Sequence, residues 1–226
     1  VESRNGFDIC VVCDGMGGAA AGKLASEIAV RAYREALGET LTEGMDLDAI
    51  QAAMAAAASQ ANRAIREEAA RKPEYAGMGT TLVSAVSGKD GIVLVNVGDS
   101  RAYRLRDGKL SQITQDHSVV GELLRNQVIT PEMAKKHPYR NIITRAVGID
   151  PVVEVDVLSE DKQLDDLWLV CSDGLYNMVD DKDIEEILNT LNEEKAADRL
   201  LELALEHGGT DNITFVLGRV MEVQGE

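Results

Sequence analysis

Four short segments of this sequence place an aspartate at the end of an apolar run, beside a small or turn-forming residue. They are Cys13-Asp14-Gly15-Met16-Gly17-Gly18, Gly98-Asp99-Ser100-Arg101, Ser172-Asp173-Gly174-Leu175 and Gly209-Thr210-Asp211-Asn212. A carboxylate at a strand end sits on the rim of a sheet, where acids from other strands can approach it. Gathered carboxylates repel one another, which destabilises a fold unless protons or cations offset the charge. With oxygen donors only, such a set invites a hard divalent cation, Mg²⁺ or Mn²⁺ rather than zinc. A single Asp-Gly pair means no more than a turn, and Asp107-Gly108 between two strand-like runs is of that kind. Four such acids in this setting are not explained as turns.

The other reactive side chains offer less. Cys10, Cys13 and Cys171 are the three cysteines, too few for a disulfide framework and suited to a reducing, cytoplasmic setting. Cys10 and Cys13 form a C-x-x-C inside an apolar run, where positions three apart face opposite sides of a strand, so both are expected to pack as small hydrophobes. Neither Cys13 nor Cys171 begins a C-x₅-R loop. His117, His137 and His207 each offer a general acid, against a plainer surface or capping role. Gly15-Met16-Gly17-Gly18-Ala19-Ala20 satisfies G-x-G-x-x-[GA] with Glu35 downstream, the pattern of a dinucleotide-binding turn. In that reading Asp14 would lie against a pyrophosphate, and two helices instead of one precede the next strand, which breaks the βαβ unit.

The elements that must position the acids follow from periodicity. A strand is expected over residues 7–13, then a glycine-rich turn. The next helix has Ala25, Ile28, Ala29, Ala32, Ala36 and Leu37 on one face, and a second has Leu47, Ile50, Met54, Ala57, Ala61 and Ile65. Strands follow over 80–87, 91–97, 102–106 and 109–113, with tight turns at 88–91 and 106–109. Residues 115–148 read as short helices inside a β-domain. Strands return at 152–158 and 167–171, helices span 181–191 and 195–206, and a strand over 212–220 closes the chain. Adjacent helix pairs and antiparallel runs give an α+β fold of two packed antiparallel sheets flanked by helices.

Composition bounds the partners. The chain has 226 residues, of which 45% are hydrophobic and 27% charged, the profile of a single globular domain. No apolar run approaches the ~20 residues of a membrane-spanning helix. The net charge of -16 repels nucleic acid and anionic lipid. An anionic substrate would need local positive charge, which bound divalent cations can supply.

Taken in order, the four aspartate segments resemble the signature motifs of the metal-dependent serine/threonine protein phosphatases of the PPM, or type 2C, family in its bacterial form. Gly77-Met78-Gly79-Thr80-Thr81, Arg101-Ala102-Tyr103, Gln115-Asp116-His117-Ser118 and Asn141-Ile142-Ile143-Thr144-Arg145-Ala146 add to the resemblance, which runs from Phe7 to Val220. It implies a single domain over 1–226, a four-layer αββα sandwich with a small helical flap at about 116–148. By the same resemblance, Asp14 bridges two Mn²⁺ or Mg²⁺ ions and Gly15 lends its backbone carbonyl to the second. Asp173 and Asp211 complete the first, and Asp99 shares a third, weaker ion with Asp173. Asp14, Asp173 and Asp211 are then the catalytic set, and the reaction is hydrolysis of phosphoserine and phosphothreonine by a metal-activated water. The implied partners are phosphorylated proteins, the substrates of serine/threonine kinases, with no nucleic acid and no membrane contact by this domain.

Members of the family carry, ahead of the first strand seen here, an arginine that grips the phosphate and an acidic motif near the second metal. Neither stands in this sequence, so a missing N-terminal strand is expected, and a non-catalytic phosphatase-like binding domain is the alternative. Arg4-Asn5-Gly6-Phe7-Asp8 echoes those motifs but is expected to be a hairpin turn. Lys135, Lys136, Arg140 and Arg145 give the flap cations that could meet an anionic partner.

Overall fold

The structure is a computed structural model that describes residues 1–221. In chain order, β1 (Glu2–Arg4), β2 (Phe7–Val12) and β3 (Gly15–Met16) lead into α1 (Ala19–Thr40) and α2 (Leu47–Arg71). Then come β4 (Gly79–Thr80), β5 (Leu82–Ser87), β6 (Ile92–Val97), β7 (Arg101–Arg106) and β8 (Lys109–Gln112). The short helices α3 (Val119–Arg125) and α4 (Pro131–Lys135) precede β9 (Asp156–Glu160) and β10 (Leu167–Cys171). Finally α5 (Asp173–Tyr176), α6 (Asp181–Thr190) and α7 (Glu193–Glu206) lead to β11 (Phe215–Arg219).

Two antiparallel sheets result, in the orders β1-β2-β5-β6-β9 and β11-β10-β7-β8, with a two-residue pair β3-β4 beside them. Alternation along the strands decides what each face meets. On β5 and β6, Leu82, Val86, Val93, Val95 and Val97 face the pair α1 and α2. From the same two strands, Val83, Ala85, Ile92 and Leu94 face the other sheet and meet Ala102, Trp168 and Val170. On β10, Leu167, Leu169 and Cys171 turn outward to the buried faces of α6 and α7. Three apolar layers therefore separate four structural ones, the αββα order expected. The C-x-x-C splits between them as its spacing implies, with Cys13 toward the helices and Cys10 toward the second sheet.

The turns are local in origin. Asn5-Gly6 and Asp107-Gly108 take positive φ at both positions, the geometry of a two-residue hairpin turn. Arg4 pairs with Phe7 across the first of them, so the segment that echoes an upstream motif is a turn. The antiparallel pairings leave no βαβ unit, and Gly15 and Met16 pair with Thr80 and Gly79, so the dinucleotide reading fails.

Several expected elements differ. The strand drawn at 152–158 is β9, starting at Asp156, because its partner β6 offers Asn96 as the last paired residue and then turns at Gly98. The strand drawn at 212–220 is β11, narrowed to Phe215–Arg219, since residues 212–214 bond to Ser172 instead. The three-residue β1, the single-turn α5 and the pair β3-β4 have no counterpart among the expectations, each being too short to show a period. The ends of the 116–148 segment also belong to the sandwich. His117, Ser118, Ala146 and Val147 are buried, Ser118 bridges to Ile143, and Val147 bridges to Thr80. What projects is residues 119–142, where Ser118 and Thr130 cap α3 and α4 through their side-chain oxygens.

The layer between the sheets should carry much of the stability. Leu94 is fully buried there, so Leu94→Ala is expected to cost about 2–5 kcal/mol, read as the shift in a urea or thermal transition. A loss under about 1 kcal/mol would mean the two sheets do not pack through this layer.

Candidate metal centre

Asp14, Asp99 and Asp173 each stand two residues past the end of a strand, Asp211 lies in the loop between α7 and β11, and neutral polar side chains tie these segments together. Asp14 follows β2 by two residues. Its N–H donates to Thr81 Oγ1 at 2.9 Å, and its carbonyl accepts from Thr81 N–H and Thr80 Oγ1, both at 2.8 Å. Thr81 Oγ1 also shares a hydrogen bond of 2.7 Å with Ser100 Oγ, which links the Asp14 backbone to the corner that carries Asp99. The turn after Asp14 packs so closely on α1 that a Cβ on Gly15 would stand 1.9 Å from Gly22 O; only glycine fits.

Asp99 is buried in the corner between β6 and β7. Its carbonyl accepts from Tyr176 Oη at 2.9 Å. Tyr176 stands one turn after Asp173 on α5, and the Arg101 guanidinium stacks on its ring at 3.6 Å while gripping Asp116. Asp173 opens α5 and accepts from Asn177 Nδ2 at 3.0 Å. Ser172 joins this segment to the last acid. Its N–H donates to Thr214 O at 2.9 Å, its hydroxyl donates to Asn212 O at 3.1 Å, and it accepts from Thr214 N–H at 3.1 Å. A Cβ on Gly174 would lie 2.3 Å from Asn212 O, so glycine is what lets the two segments touch. Asp211 itself is exposed.

The carboxylates feel one another. Burial and then the charge of Asp173 push the Asp14 carboxyl up to about 7, with Asp211 adding to it. Burial followed by Asp173 also takes Asp99 up to about 7. Asp173 is raised by its own burial and by Asp211. All four aspartates of the sequence reading are thus brought to one rim, with Gly15 beside them.

Among the described residues no group of three or more Asp, Glu, His or Cys side chains stands close enough together to hold a metal ion by itself. An open set of oxygen donors is what Mg²⁺ or Mn²⁺ uses, since such ions keep several waters and take one or two carboxylates each. Acids that resist ionising for want of a counter-charge therefore fit a hard divalent cation. Asp14, Asp99, Asp173, Asp211 and the Gly15 carbonyl are the groups that could hold it.

Three readings change. His117 is neither on the surface nor a cap: it is 3% exposed with both ring nitrogens engaged, so it is no free general acid. His207 does cap, at the C-terminus of α7, and His137 accepts from Tyr139 N–H in a turn. The supporting roles of Thr81, Ser100, Ser172 and Tyr176 went unread. Only Tyr176 and Asn177 leave a local signal, three and four residues after Asp173 on a helix.

A pH dependence follows. Below the ordinary value of 3.8, the Asp14 carboxyl is protonated in both the folded and unfolded chain; between 3.8 and about 7 only the folded chain keeps the proton. Stability contributed by that proton is lost as pH rises through this window. In chelator, wild type should lose stability relative to Asp14→Asn from about pH 4 to about 7, and added Mn²⁺ should raise the unfolding midpoint more at pH 7.5 than at pH 5. Parallel midpoints for the two proteins across that range would contradict the carboxylate cluster.

Comparison with known proteins agrees with this geometry. Residues 1–205 match the family described as protein phosphatase 2C. The serine/threonine phosphatase stp of Listeria monocytogenes serovar 1/2a is 43% identical over 219 residues, covering 96% of this chain and 86% of that protein. The crystal structure of the Mycobacterium tuberculosis serine/threonine phosphatase PstP/Ppp superposes with a TM-score of 0.85 at 38% identity, over 98% of this chain and 94% of that one. The catalytic domain of PstP in complex with two manganese ions superposes with a TM-score of 0.80 at 35% identity, over 98% and 94%. On the match of sequence motifs, fold and carboxylate rim, the chain belongs to the protein phosphatase 2C family.

Proposed function

We propose that this chain hydrolyses phosphoserine and phosphothreonine esters in proteins, with divalent Mn²⁺ or Mg²⁺ held by the carboxylate rim. The observation that carries the reading is the gathering of Asp14, Asp99 and Asp173, each raised above the ordinary carboxylate range by burial and by its neighbours. When bound, such ions supply an activated water and neutralise charge on the phosphoryl oxygens. Asp14, pinned by Thr80 and Thr81 between the segments of the other acids, is placed to serve two ions, with the Gly15 carbonyl beside it. Asp173 and Asp211, locked together through Ser172, serve the first, and Asp99 with Asp173 serves a third. The cysteines do not compete as nucleophiles: burial pushes the thiols of Cys13 and Cys171 up to about 12 and raises that of Cys10, so all three stay protonated at neutral pH.

The substrate side of the proposal rests on the segment 119–142. Lys135 pairs with Asp180, and Arg145 with Asp156 and Glu154, so these cations are engaged within the chain. Lys136 and Arg140 are exposed and, among the described residues, pair with no carboxylate. Met133, Tyr139 and Ile142 stand exposed in the same segment. Two free cations among apolar side chains suit a phosphorylated, hence anionic, peptide, the product of a serine/threonine kinase. The net charge of -16 weighs against nucleic acid, and no helix among the described residues is long and apolar enough to cross a membrane.

Hydrolysis of a phosphomonoester should require added Mn²⁺ or Mg²⁺ and stop in excess chelator; full turnover in chelator would end the metal-based reading. Asp14→Asn should lower kcat by roughly 10²–10³-fold, the scale of losing a preorganised electrostatic contact, and Asp211→Asn by less. A smaller loss in Asp14→Asn than in Asp211→Asn would remove the bridging role. Replacing Lys136 and Arg140 with alanine should slow phosphopeptide turnover and spare a small aryl phosphate, which is too short to reach them. Equal effects on the two substrates would show that the segment does not select.

A further inference from the structure

The Asp99 carboxylate is only as well placed as the peptide before it, because it stands in a sharp corner where Gly98 takes φ +101°. One residue holds that peptide at both ends. The Gly98 carbonyl accepts from His117 N–H at 2.9 Å, and the Gly98 N–H donates to His117 Nδ1 at 3.1 Å. A backbone N–H can only donate, so Nδ1 accepts and the ring proton sits on Nε2, 3.0 Å from Asp156 Oδ2; Arg145 Nη1, also a donor only, stands 3.2 Å from that Nε2 and is held by Asp156, not by the ring. Asp156 begins β9, opposite Asn96, and its other oxygen accepts from Arg145 Nη1 at 2.8 Å. Asn96 Nδ2 donates to Gln115 O at 2.9 Å, a further bond between the strand before the corner and the loop that carries His117. The imidazole is thus fixed at one edge by β9 and at the other by Gly98, with no freedom to turn.

We infer that His117 is a positioning residue for Asp99: by clamping the Gly98 peptide it presents the Asp99 carboxylate to the divalent ion that Asp99 serves. The inference rests on the assignment of Asp99 to an ion made above. A purely structural His117 would fill space and tie Asp156 to the core, with no bearing on ion affinity beyond general loss of stability. The two ring nitrogens allow the alternatives to be separated. In His117→Asn, Oδ1 can take the place of Nδ1 and accept from Gly98 while the bond to Asp156 is lost. In His117→Gln, the longer amide reaches Asp156 and leaves the Gly98 N–H without its partner, while the backbone bond to the Gly98 carbonyl remains.

The test is calorimetric titration of the whole chain with Mn²⁺, alongside thermal unfolding in chelator, for wild type, both His117 variants and Asp99→Asn. Loss of a residue that orients a ligand typically costs about 10–100-fold in metal affinity. The weakest Mn²⁺ dissociation constant is expected to rise by about that factor in His117→Gln, as in Asp99→Asn, and to stay near wild type in His117→Asn. Equal weakening in both His117 variants, or none in His117→Gln while Asp99→Asn weakens, would overturn the positioning role and leave the Asp99 assignment standing. No change in Asp99→Asn would overturn that assignment and the inference with it. Should the His117 variants fail to fold, wild type labelled with ¹⁵N-histidine answers the question. On titration with Mg²⁺, the Nδ1 resonance of His117 should move with the midpoint of the weakest site, and a resonance that stays fixed through saturation would overturn the inference.

Discussion

Repulsion among carboxylates is the constraint around which this molecule is arranged. Burial first, and the charge of neighbouring acids second, raises the proton affinity of Asp14, Asp99 and Asp173, so holding them near one another works against the fold. The force that holds them is the apolar layer between the sheets. Val12 lies two residues before Asp14, Ala102 three after Asp99 and Val170 three before Asp173, and all three belong to that layer. Full burial of one such side chain contributes about 1.5–3 kcal/mol. The layer has eight buried residues, six of them larger than alanine, so its packing offsets the electrostatic cost of a few close acids. Packing the sheets and gathering the acids are one event.

The acids are placed by neutral groups and not by counter-charges. Thr80, Thr81, Ser172 and Tyr176 hold the backbone of the four segments, while the cations of the neighbouring strand are engaged elsewhere. Arg101 grips Asp116, Arg104 pairs with Glu160, and Arg106 pairs with Asp161 and Asp166. An arginine paired with Asp14 would steady it, but it would also satisfy the charge and weaken the attraction for a divalent ion. Hydroxyls fix position without contributing charge, so the rim stays anionic and receptive. The same logic explains the close glycine contacts at Gly15 and Gly174, where backbone meets backbone and no side chain dilutes the carboxylates.

How much of this was legible in the sequence depended on whether the cause was local. The alternation of β5, β6 and β10 and the stripes of α1 and α2 reflect burial on one face, so the sandwich and its layers could be read directly. The four aspartates were legible because each stands in a short turn-forming segment beside an apolar strand. The groups that hold them were not. The Thr81 contact to Asp14 spans 67 positions and the Tyr176 contact to Asp99 spans 77. Hydrogen bonds between such distant residues leave no periodic trace. His117 was misread for the same reason: a histidine in a polar stretch looks exposed until the strands that enclose it are assembled. The late start of β9 was equally invisible, because it is set by where the partner strand β6 turns away.

The fold also joins the substrate side to the metal side at one place. Residues 119–142 leave the sandwich beside the residue that clamps Gly98. Val119 N–H donates to Ile142 O at 2.9 Å, and Thr144 N–H donates to His117 O at 2.8 Å. The segment that presents Lys136 and Arg140 is therefore rooted on the loop that steadies Asp99. Its roots are buried and bonded, while Lys136 and Arg140 on its outer part are exposed. Side chains on the outer part can change without moving any of the four acids, whereas a change at the roots is transmitted through His117 to the Gly98 peptide.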